Sequence, residues 1–550
     1  MECKNVVSRV RQLESERAAV QQQWQVIERF VMPYRGQFFR DESSENSVNW
    51  RKREILDSTA VHAAQSLAAS LHGSLTSPAI KWFELKFRDE NTSGGEADEW
   101  LAECDKIVWE ALQDSNFNLE ANETYLDLVG YGSSVIFEEA VSEVQWKGVS
   151  FGSVPIKECH FEEDHNGQIY NFYRVLHWRY SQIVSKFCTD GGMAEADLPK
   201  RIRDMKDHPD DKMHICFCVY TRQDKIDSPV DGILAPKNRP YGYKYVIMEN
   251  GKLLGEEGGY YEMPAFIPRW RKTSGSRWGN SPAMTALADI LQLNETKMLK
   301  TRAVEKGIEG TWFVNERAGL TDLQLDAATV NVMKDINGIR QEAPMGRMDW
   351  TDTEIADLRQ SVRSYFMADQ LELKESPAMT ATEVQVRYEL MQRLLGPTLG
   401  RLQSDFLEPM IQRTFNLLLR GGQLPEMPNS VYSETGEPSR VDVEYLGPLN
   451  RAQQIDSVAS TERLINAVMM IAELKPTVVN AFDWDEAAWA VADKLGISPK
   501  VVNTAEETAA LTQQQEAAAA AAQQAETAKM AGQARQADAM ADQTEEQMMQ

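Results

Sequence analysis

Over the first thirty positions, apolar residues fall at Val6, Val10, Leu13, Val20, Trp24, Ile27 and Val31, in steps of three and four, with Arg17 the one polar residue on that stripe. The spacing predicts a helix over 5–31, stopped by Pro33, that serves either as a coiled-coil seam or as an amphipathic helix laid on a core. A second helix is predicted over 54–75, where Ala60, Ala63, Ala64, Ala68 and Ala69 permit close helix contacts. The run KWFELKF then alternates as a strand, and helices follow near 96–114 and 118–131. From Ser133 the period becomes two, predicting strands at Val135–Glu139, Val141–Trp146, Val154–Phe161 and Ile169–Trp178. Asp164–Gly167, reading D-H-N-G, supplies the Asn-Gly signal of a hairpin. A short helix at Ser181–Lys186 and strands at His214–Arg222 and Tyr243–Glu249 complete an α+β body of about 270 residues.

The second half of the chain is dominated by long helical patterns. Ser281–Pro282 opens a helix to about Lys306, with Pro282 placed where its missing N–H is harmless. Its apolar positions are Ala283, Leu287, Ile290, Leu291 and Met298, while Lys297, Lys300 and Lys306 make its C-terminal end basic. Short strand and loop segments (TWFVN, ATVNVM, NGIR) occupy 310–350, followed by a helix at 352–373 and the loop KESPAM. Met379–Gly422 then reads as one very long helix. Thr380 or Thr382 can cap it, and Glu383 completes a capping box with Thr380. Val386, Leu390, Leu394, Leu402, Phe406, Met410 and Leu417 form its apolar stripe. Gly396–Pro397 and Pro409 each interrupt the hydrogen-bond ladder, so a bent rod is expected. At 1.5 Å per residue it would span roughly 60 Å, more than a small domain, which points to an assembly. Beyond Pro425 lie a strand at Val441–Leu446, helices near 450–473, 476–480 and 483–495, and an Ala/Gln/Glu tail from Thr504 to Gln550. That tail has high helix propensity without a broad apolar face, so it is either disordered or a helical barrel held by symmetry copies.

Composition bounds the chemistry. The 550 residues exceed one core, so two to four packed units are expected. No apolar run reaches the length of a membrane span, and the start MECKNVVSRVRQLESER does not read as a signal peptide. Six cysteines in so long a chain fit reduced thiols rather than a disulfide framework. The net charge of −25 is the wrong sign for a protein that grips DNA. It suits an acidic protein with no nucleic-acid contact, or a conduit whose wall repels phosphate and lets DNA slide.

The catalytic and metal motifs of the chain are incomplete. Gly148–Gly152 matches GxSxG, but it leads into strand rather than into the helix that a nucleophile elbow requires. Cys159, His160, Glu162, Glu163, Asp164 and His165 are dense in potential ligands, as are His214, Cys216 and Cys218, yet neither has the paired spacing of structural zinc. No GxxxxGK[ST] occurs, so ATP hydrolysis would have to come from a partner. The segment Trp270–Gly279 is basic and aromatic, either a holder of a nucleic-acid strand or a structural turn with buried tryptophans. No catalytic residue, cofactor or metal is assigned.

The runs TATEV, LLGPTLGRLQSDFLEPMIQR, GGQLPEMP and VEYLGPLNRAQ resemble the head-to-tail connector (portal) family of short-tailed, podovirus-type bacteriophages. LDSTAVHAAQSLAASLHGSLTSPAIKWFEL and IPRWRKTSGSRWGNSPAMTALADILQLNETKMLKTRAVEKG agree in the same order, so the resemblance covers roughly 5–460. It implies a mainly α, α+β portal fold with wing, stem, clip and crown. On that pattern 1–280 is the wing body, 281–309 the first stem helix, 310–350 the clip and 351–373 the second stem helix. The tunnel loop is 374–381, the bent helix and return to the wing 382–447, the helical crown 448–500, and the tail 501–550. The implied function is non-enzymatic: a ring, of twelve copies in this family, at one capsid vertex in the virion, assembled in the host cytoplasm. Double-stranded DNA passes through it without sequence recognition. Terminase, scaffold and capsid proteins and then tail adaptors are the implied partners, with no membrane. Lys374, Glu375, Ser376, Met379 and Thr380 are the tunnel-loop candidates, Lys297, Lys300 and Lys306 the basic stem positions, and Gly396 and Pro397 the helix bend. The rivals are an α+β hydrolase or nuclease and a coiled-coil scaffold or adaptor.

Overall fold

A computed structural model of the chain describes residues 2–36, 54–78, 81–88, 96–141, 146–208, 210–222, 234–273, 275–309, 311–314, 339–342, 348–368, 395–428, 431, 441–445 and 468. Within them the chain is a mixed helix-and-strand protein that divides into two compact units. The first comprises Met1–Glu84, Lys106–Leu424 and Tyr445–Leu449, and the second Leu85–Asp105, Pro425–Glu444 and Asn450–Gln550.

Helix α1 (Cys3–Phe30) answers the question its stripe left open. Val6, Val7, Val10 and Leu13 pack on a sheet, against Tyr173, Cys216, Cys218, Tyr220 and Val246, so the helix is an amphipathic lid on a core. Arg17 is buried too. Its guanidinium donates to the carbonyls of Ile156 (3.3 Å) and Cys159 (2.8 Å), which is how a charge survives on an apolar stripe. Further along, Trp24 is fully buried and donates from Nε1 to the Tyr131 carbonyl at 2.9 Å.

Helix α2 (Thr59–Leu75) buries Ala60, Ala63, Ala64 and Ala68, the small residues its sequence offered for close approach. Strand β1 (Phe83–Phe87), α3 (Glu96–Asp114) and α4 (Phe117–Tyr131) follow as the pattern predicts. Gly132, at φ +77, closes α4 in the left-handed conformation that glycine adopts without strain.

Strands β2 (Ile136–Ala140) and β3 (Val149–Ser153) pair antiparallel. The GxSxG run therefore lies mostly on a strand, and no nucleophile elbow exists there. The far edge of β3 is held by side chains of α4 and its cap. Asn116 Oδ1 accepts from the Phe151 N–H (2.8 Å), Asn116 Nδ2 donates to the Phe151 carbonyl (2.7 Å), and Glu120 accepts from the Ser153 N–H (2.6 Å). Such bonds satisfy an edge that would otherwise invite another strand.

A five-stranded antiparallel meander forms the centre of the first unit, in the order β4 (Cys159–Glu163), β5 (Ile169–Arg179), β6 (Lys212–Thr221), β7 (Tyr241–Ile247) and β8 (Leu253–Tyr260). The stretch predicted as one strand over Val154–Phe161 is broken by a 3-10 turn at Ile156–Glu158, which Pro155 opens. The Asp164–Gly167 hairpin forms, with Asp164 Oδ1 accepting from the N–H groups of Asn166 (2.9 Å) and Gln168 (2.8 Å). Strand alternation sends Cys216, Cys218 and Tyr220 toward α1, and Phe217 and Val219 to the opposite face. There they pack with Phe161, Phe172 and Tyr260, with Val135 just before β2, and with Ala265 of β9 (Ala265–Phe266) in the β3–β2–β9 sheet.

Helix α5 (Pro282–Glu309) is 28 residues long, about 42 Å at 1.5 Å per residue. Ser281 caps it, its Oγ accepting from the Met284 N–H (2.9 Å) and donating to the Gly130 carbonyl (2.8 Å). Strands β10 (Thr311–Val314) and β11 (Ile339–Glu342) pair antiparallel, and α6 (Met348–Tyr365) returns along α5. Helix α6 starts four residues before the predicted 352, and its regular part closes at Tyr365, just before Met367 takes φ +56. Of the predicted long helix, the described part runs helically from 395, loosens into a π turn at Gln403–Leu407 and continues as α7 (Glu408–Arg420). In the π turn Glu408 N–H reaches back five residues to the Gln403 carbonyl, directly before Pro409.

In the second unit Phe87 stacks on Trp100 (centroids 6.5 Å), and Trp100 Nε1 donates to the Pro425 carbonyl at 3.1 Å. Lys86–Glu444 (2.9 Å) and Arg88–Asp442 (3.2 Å) are ion pairs beside the β1–β12 ladder, β12 being Val441–Tyr445. The predicted ATVNVM strand, the helices after 450 and the tail from Thr504 lie outside the described residues, apart from Val468.

Candidate functional site

The α5–α6 pair carries the basic positions that the sequence singled out. Its contact is apolar at the centre, with Ala286, Ile290 and Leu293 of α5 and Ile355, Leu358, Val362 and Phe366 of the α6 segment all buried. Those four fall at steps of three and four, so one helix face supplies them. A polar layer borders this seam. Lys297 Nζ lies 3.6 Å from Asp57 Oδ2, and Arg359 reaches the same oxygen from Nη2 at 2.7 Å. Lys300 pairs with Asp352, and Ser361 donates to Asp289 at 2.6 Å. Lys297, Lys300, Thr301, Val304, Asp352, Ile355 and Arg359 line a cleft of about 290 Å³.

Asp57 is the hub of that layer. Burial opposes its charge, but the Thr59 hydroxyl and N–H and the Arg359 guanidinium together hold its carboxyl below the ordinary value. It thus joins α2, whose first N–H it accepts, to both α5 and α6. Two of the three predicted basic positions therefore have their charge answered within the subunit, and Lys306 lies further along α5. Lys374, Glu375, Ser376, Met379 and Thr380 lie outside the described residues. Gly396 and Pro397 fall in the helical stretch from 395, with open space around the Gly396 Cα.

A second arrangement, missed in the sequence, fastens α7 to the β body. Arg413 is buried, donating from Nη1 to the Glu262 carbonyl (2.9 Å) and carboxylate (3.2 Å), with its Nε 3.8 Å from Glu138 Oε2. Thr414 donates to Glu138 Oε1 at 2.8 Å. Arg420 closes the network with two bonds of 2.7 Å to Glu262. Burial pushes the Glu138 carboxyl up to about 7, although Arg413 and the Thr414 hydroxyl pull it down. The available signal was a charged residue one turn on from Met410, on the buried side of an apolar stripe.

The motifs suspected of chemistry take structural roles. In the Trp270–Gly279 segment Trp270 is buried, and Trp278 packs edge-on to Phe161 (4.6 Å) and Trp24 (4.9 Å). Lys272 pairs with Glu163 (2.7 Å), as does Arg269, and Arg277 pairs with Glu16 (2.6 Å). Burial pushes the Cys216 thiol well up and the Cys218 thiol to about 12, so neither is a ready thiolate. His160 is buried, and that burial, with Arg17 nearby, lowers it to about 3. Among the described residues no group of three or more His, Cys, Asp or Glu is placed to hold a metal ion, and no helix is long and apolar enough to cross a membrane.

The family model described as "Bacteriophage head to tail connecting protein" matches residues 4–502. The "Probable portal protein" of Bordetella phage BPP-1 is 28% identical over 540 residues, covering 93% of this chain and 91% of that protein. The "Portal protein" of Salmonella phage epsilon15 is 24% identical over 531 residues, covering 93% and 91%. A chain of the "Virion of native gene transfer agent (GTA) particle" aligns over 77% of this chain and 90% of its own, at 9% identity and a TM-score of 0.34, too low to establish a common fold. A match over nearly the whole sequence, to a family whose role is structural rather than enzymatic, places the polypeptide: it belongs to the bacteriophage head to tail connecting proteins.

Proposed function

We propose that this connecting protein is the portal subunit of a tailed bacteriophage, forming a ring of twelve at one capsid vertex through which double-stranded DNA is packaged and ejected. Terminase would dock on the ring during packaging and tail adaptors afterwards, with scaffold and capsid proteins around it. The observation that carries this reading is the packed order of α5, the β10–β11 pair and α6. Two helices that run along each other and are joined through a small β element suit a stem ending in a clip. In that arrangement 1–280 is the wing, 281–309 and 351–373 the stem, 310–350 the clip, 382–447 the bent helix and return to the wing, 448–500 the crown and 501–550 the tail. The loop 374–381 lines the bore through Lys374, Glu375, Ser376, Met379 and Thr380, and of the basic stem positions Lys297, Lys300 and Lys306 the first two carry ion pairs to Asp57 and Asp352. The net charge of −25 is compatible with a conduit, in which a repelling wall keeps moving phosphate from sticking.

Analytical ultracentrifugation and negative-stain imaging of the purified chain test the proposal. Twelve copies of 62.2 kDa give an annulus of roughly 0.7 MDa. A compact monomer at every concentration, with no annulus in isolated particles, would overturn it.

A further inference from the structure

On the face of the meander that α1 covers, His177 of β5 and His214 of β6 stand directly opposite one another in the ladder. They share the parity of Tyr173 and Val175 on β5 and of Cys216 and Cys218 on β6, which pack under α1, but both histidines are exposed. Their rings meet edge to face, with centroids 4.4 Å apart and planes at 83°. Neither histidine belongs to the buried cluster beneath α1.

We propose that His177 and His214 form a two-imidazole site for one divalent transition-metal ion of the zinc, copper or nickel class. Directly opposed residues of an antiparallel pair have Cβ atoms about 4.5–5.5 Å apart, so two side chains on one face can converge on a single ion. Each ring nitrogen would then bond at about 2.0–2.1 Å, a distance that small χ rotations of exposed rings can reach. Imidazole suits zinc, copper and nickel, whereas calcium and magnesium prefer oxygen. The ligating form is the neutral ring. The charged groups acting on His177 are Glu158 and Glu14, which favour a cation, and Lys157, which opposes one. Cys216 and Cys218 are buried beneath α1 and do not compete. A bound ion would clip β5 to β6 and stabilise the folded chain by mass action.

The test uses the full, untagged chain, with zinc calorimetry and copper(II) electron paramagnetic resonance. The expected result is one equivalent per subunit, with nitrogen couplings from two imidazoles. His177→Asn and His214→Asn should each weaken binding roughly tenfold or more, the range that loss of even an outer-shell partner costs a metal site. His165→Asn, on the exposed hairpin, should leave it unchanged. Zinc should also protect both residues of the unmutated chain from carbethoxylation, read by mass spectrometry, so a variant that failed to fold would not stall the test. Binding that survives both substitutions, binding lost equally in His165→Asn, or no protection at His177 and His214 would overturn the proposal.

Discussion

Arg413 Nε sits 3.8 Å from Glu138 Oε2, and both side chains are almost completely shielded from water. The pair lies where α7 crosses β2, so it decides whether the end of the long helix stays fastened to the β body. Removing one partner strands the other, Arg413 as a buried charge and Glu138 as one above about pH 7. Arg413→Met should therefore destabilise the chain by about 3–5 kcal/mol, whereas replacing both partners costs less because no charge is stranded. Denaturant melts of Arg413→Met, Glu138→Gln and the double variant check this. The expected order puts the double variant above Arg413→Met; equal losses would show that packing, and not charge, carries the site.

Two buried titrating groups pull stability in opposite directions as pH changes. Glu138 is raised in the fold from 4.5 to about 7, so the folded chain holds that proton more tightly than the unfolded one. Its contribution is present in full below about 4.5 and is lost as pH rises through about 7. His160 is lowered from 6.5 to about 3, so its contribution is present above about 6.5 and is lost as pH falls toward 3. Melting temperature measured against pH should lose part of its fall between 4.5 and 7 in Glu138→Gln. His160→Gln should flatten the acid limb below 6.5 instead. Identical profiles in all three proteins would refute the assignment.

Glycines in β8 explain why that strand escapes sequence reading. LLGEEGGY has little β propensity, yet the strand forms because its glycines let large neighbours approach. A Cβ on Gly258 would sit 2.2 Å from the Tyr243 ring, and one on Gly259 would sit 2.1 Å from the Pro236 carbonyl oxygen. Gly259→Ala should cost about 1–3 kcal/mol, and more than Gly258→Ala, because backbone yields less readily than a ring. Gly73, on an exposed turn of α2 with nothing within 4 Å, is the contrast: Gly73→Ala should stabilise by about 0.5–1 kcal/mol. Thermal melts of the three variants read the order directly.

Periodicity was a good guide wherever burial was one-sided. It located α1 to α6 and the strands β5 to β7, because a stripe or an alternation is the direct imprint of one face against a core. It failed where a polar group was buried by specific partners. Arg17, Arg413 and Glu138 are charged in the sequence and interior in the fold, and the partners that make their burial tolerable are non-local carbonyls, carboxylates and hydroxyls that no local pattern records. The candidate stem lysines were legible as a basic cluster. Their partners Asp57 and Asp352 were not, because Asp57 is some 240 residues from Lys297 in the chain, and no local pattern records such a pairing.

Two prolines punctuate the helix that ends at Arg420, and the structure shows how one of them is accommodated. Pro409 has no N–H to give the carbonyl of Asp405, and its ring would crowd that oxygen. The π turn at Gln403–Leu407 widens the ladder just before it, carrying the mismatch into one loose turn while α7 stays regular to Arg420. Gly396–Pro397 poses the same problem about three turns earlier. Replacing it with Ala-Ala should straighten and stiffen the helix, because both residues then favour the uninterrupted ladder. If the ring needs the bend, the double variant should fold with unchanged helicity by circular dichroism yet assemble poorly or package less DNA. Pro409→Ala probes the π turn by itself: it should let that turn relax to α, while Arg413 and Glu262 still hold α7 in place. Normal rings with normal packaging in the Gly396–Pro397 variant would mean that the curvature of this helix plays no part in assembly.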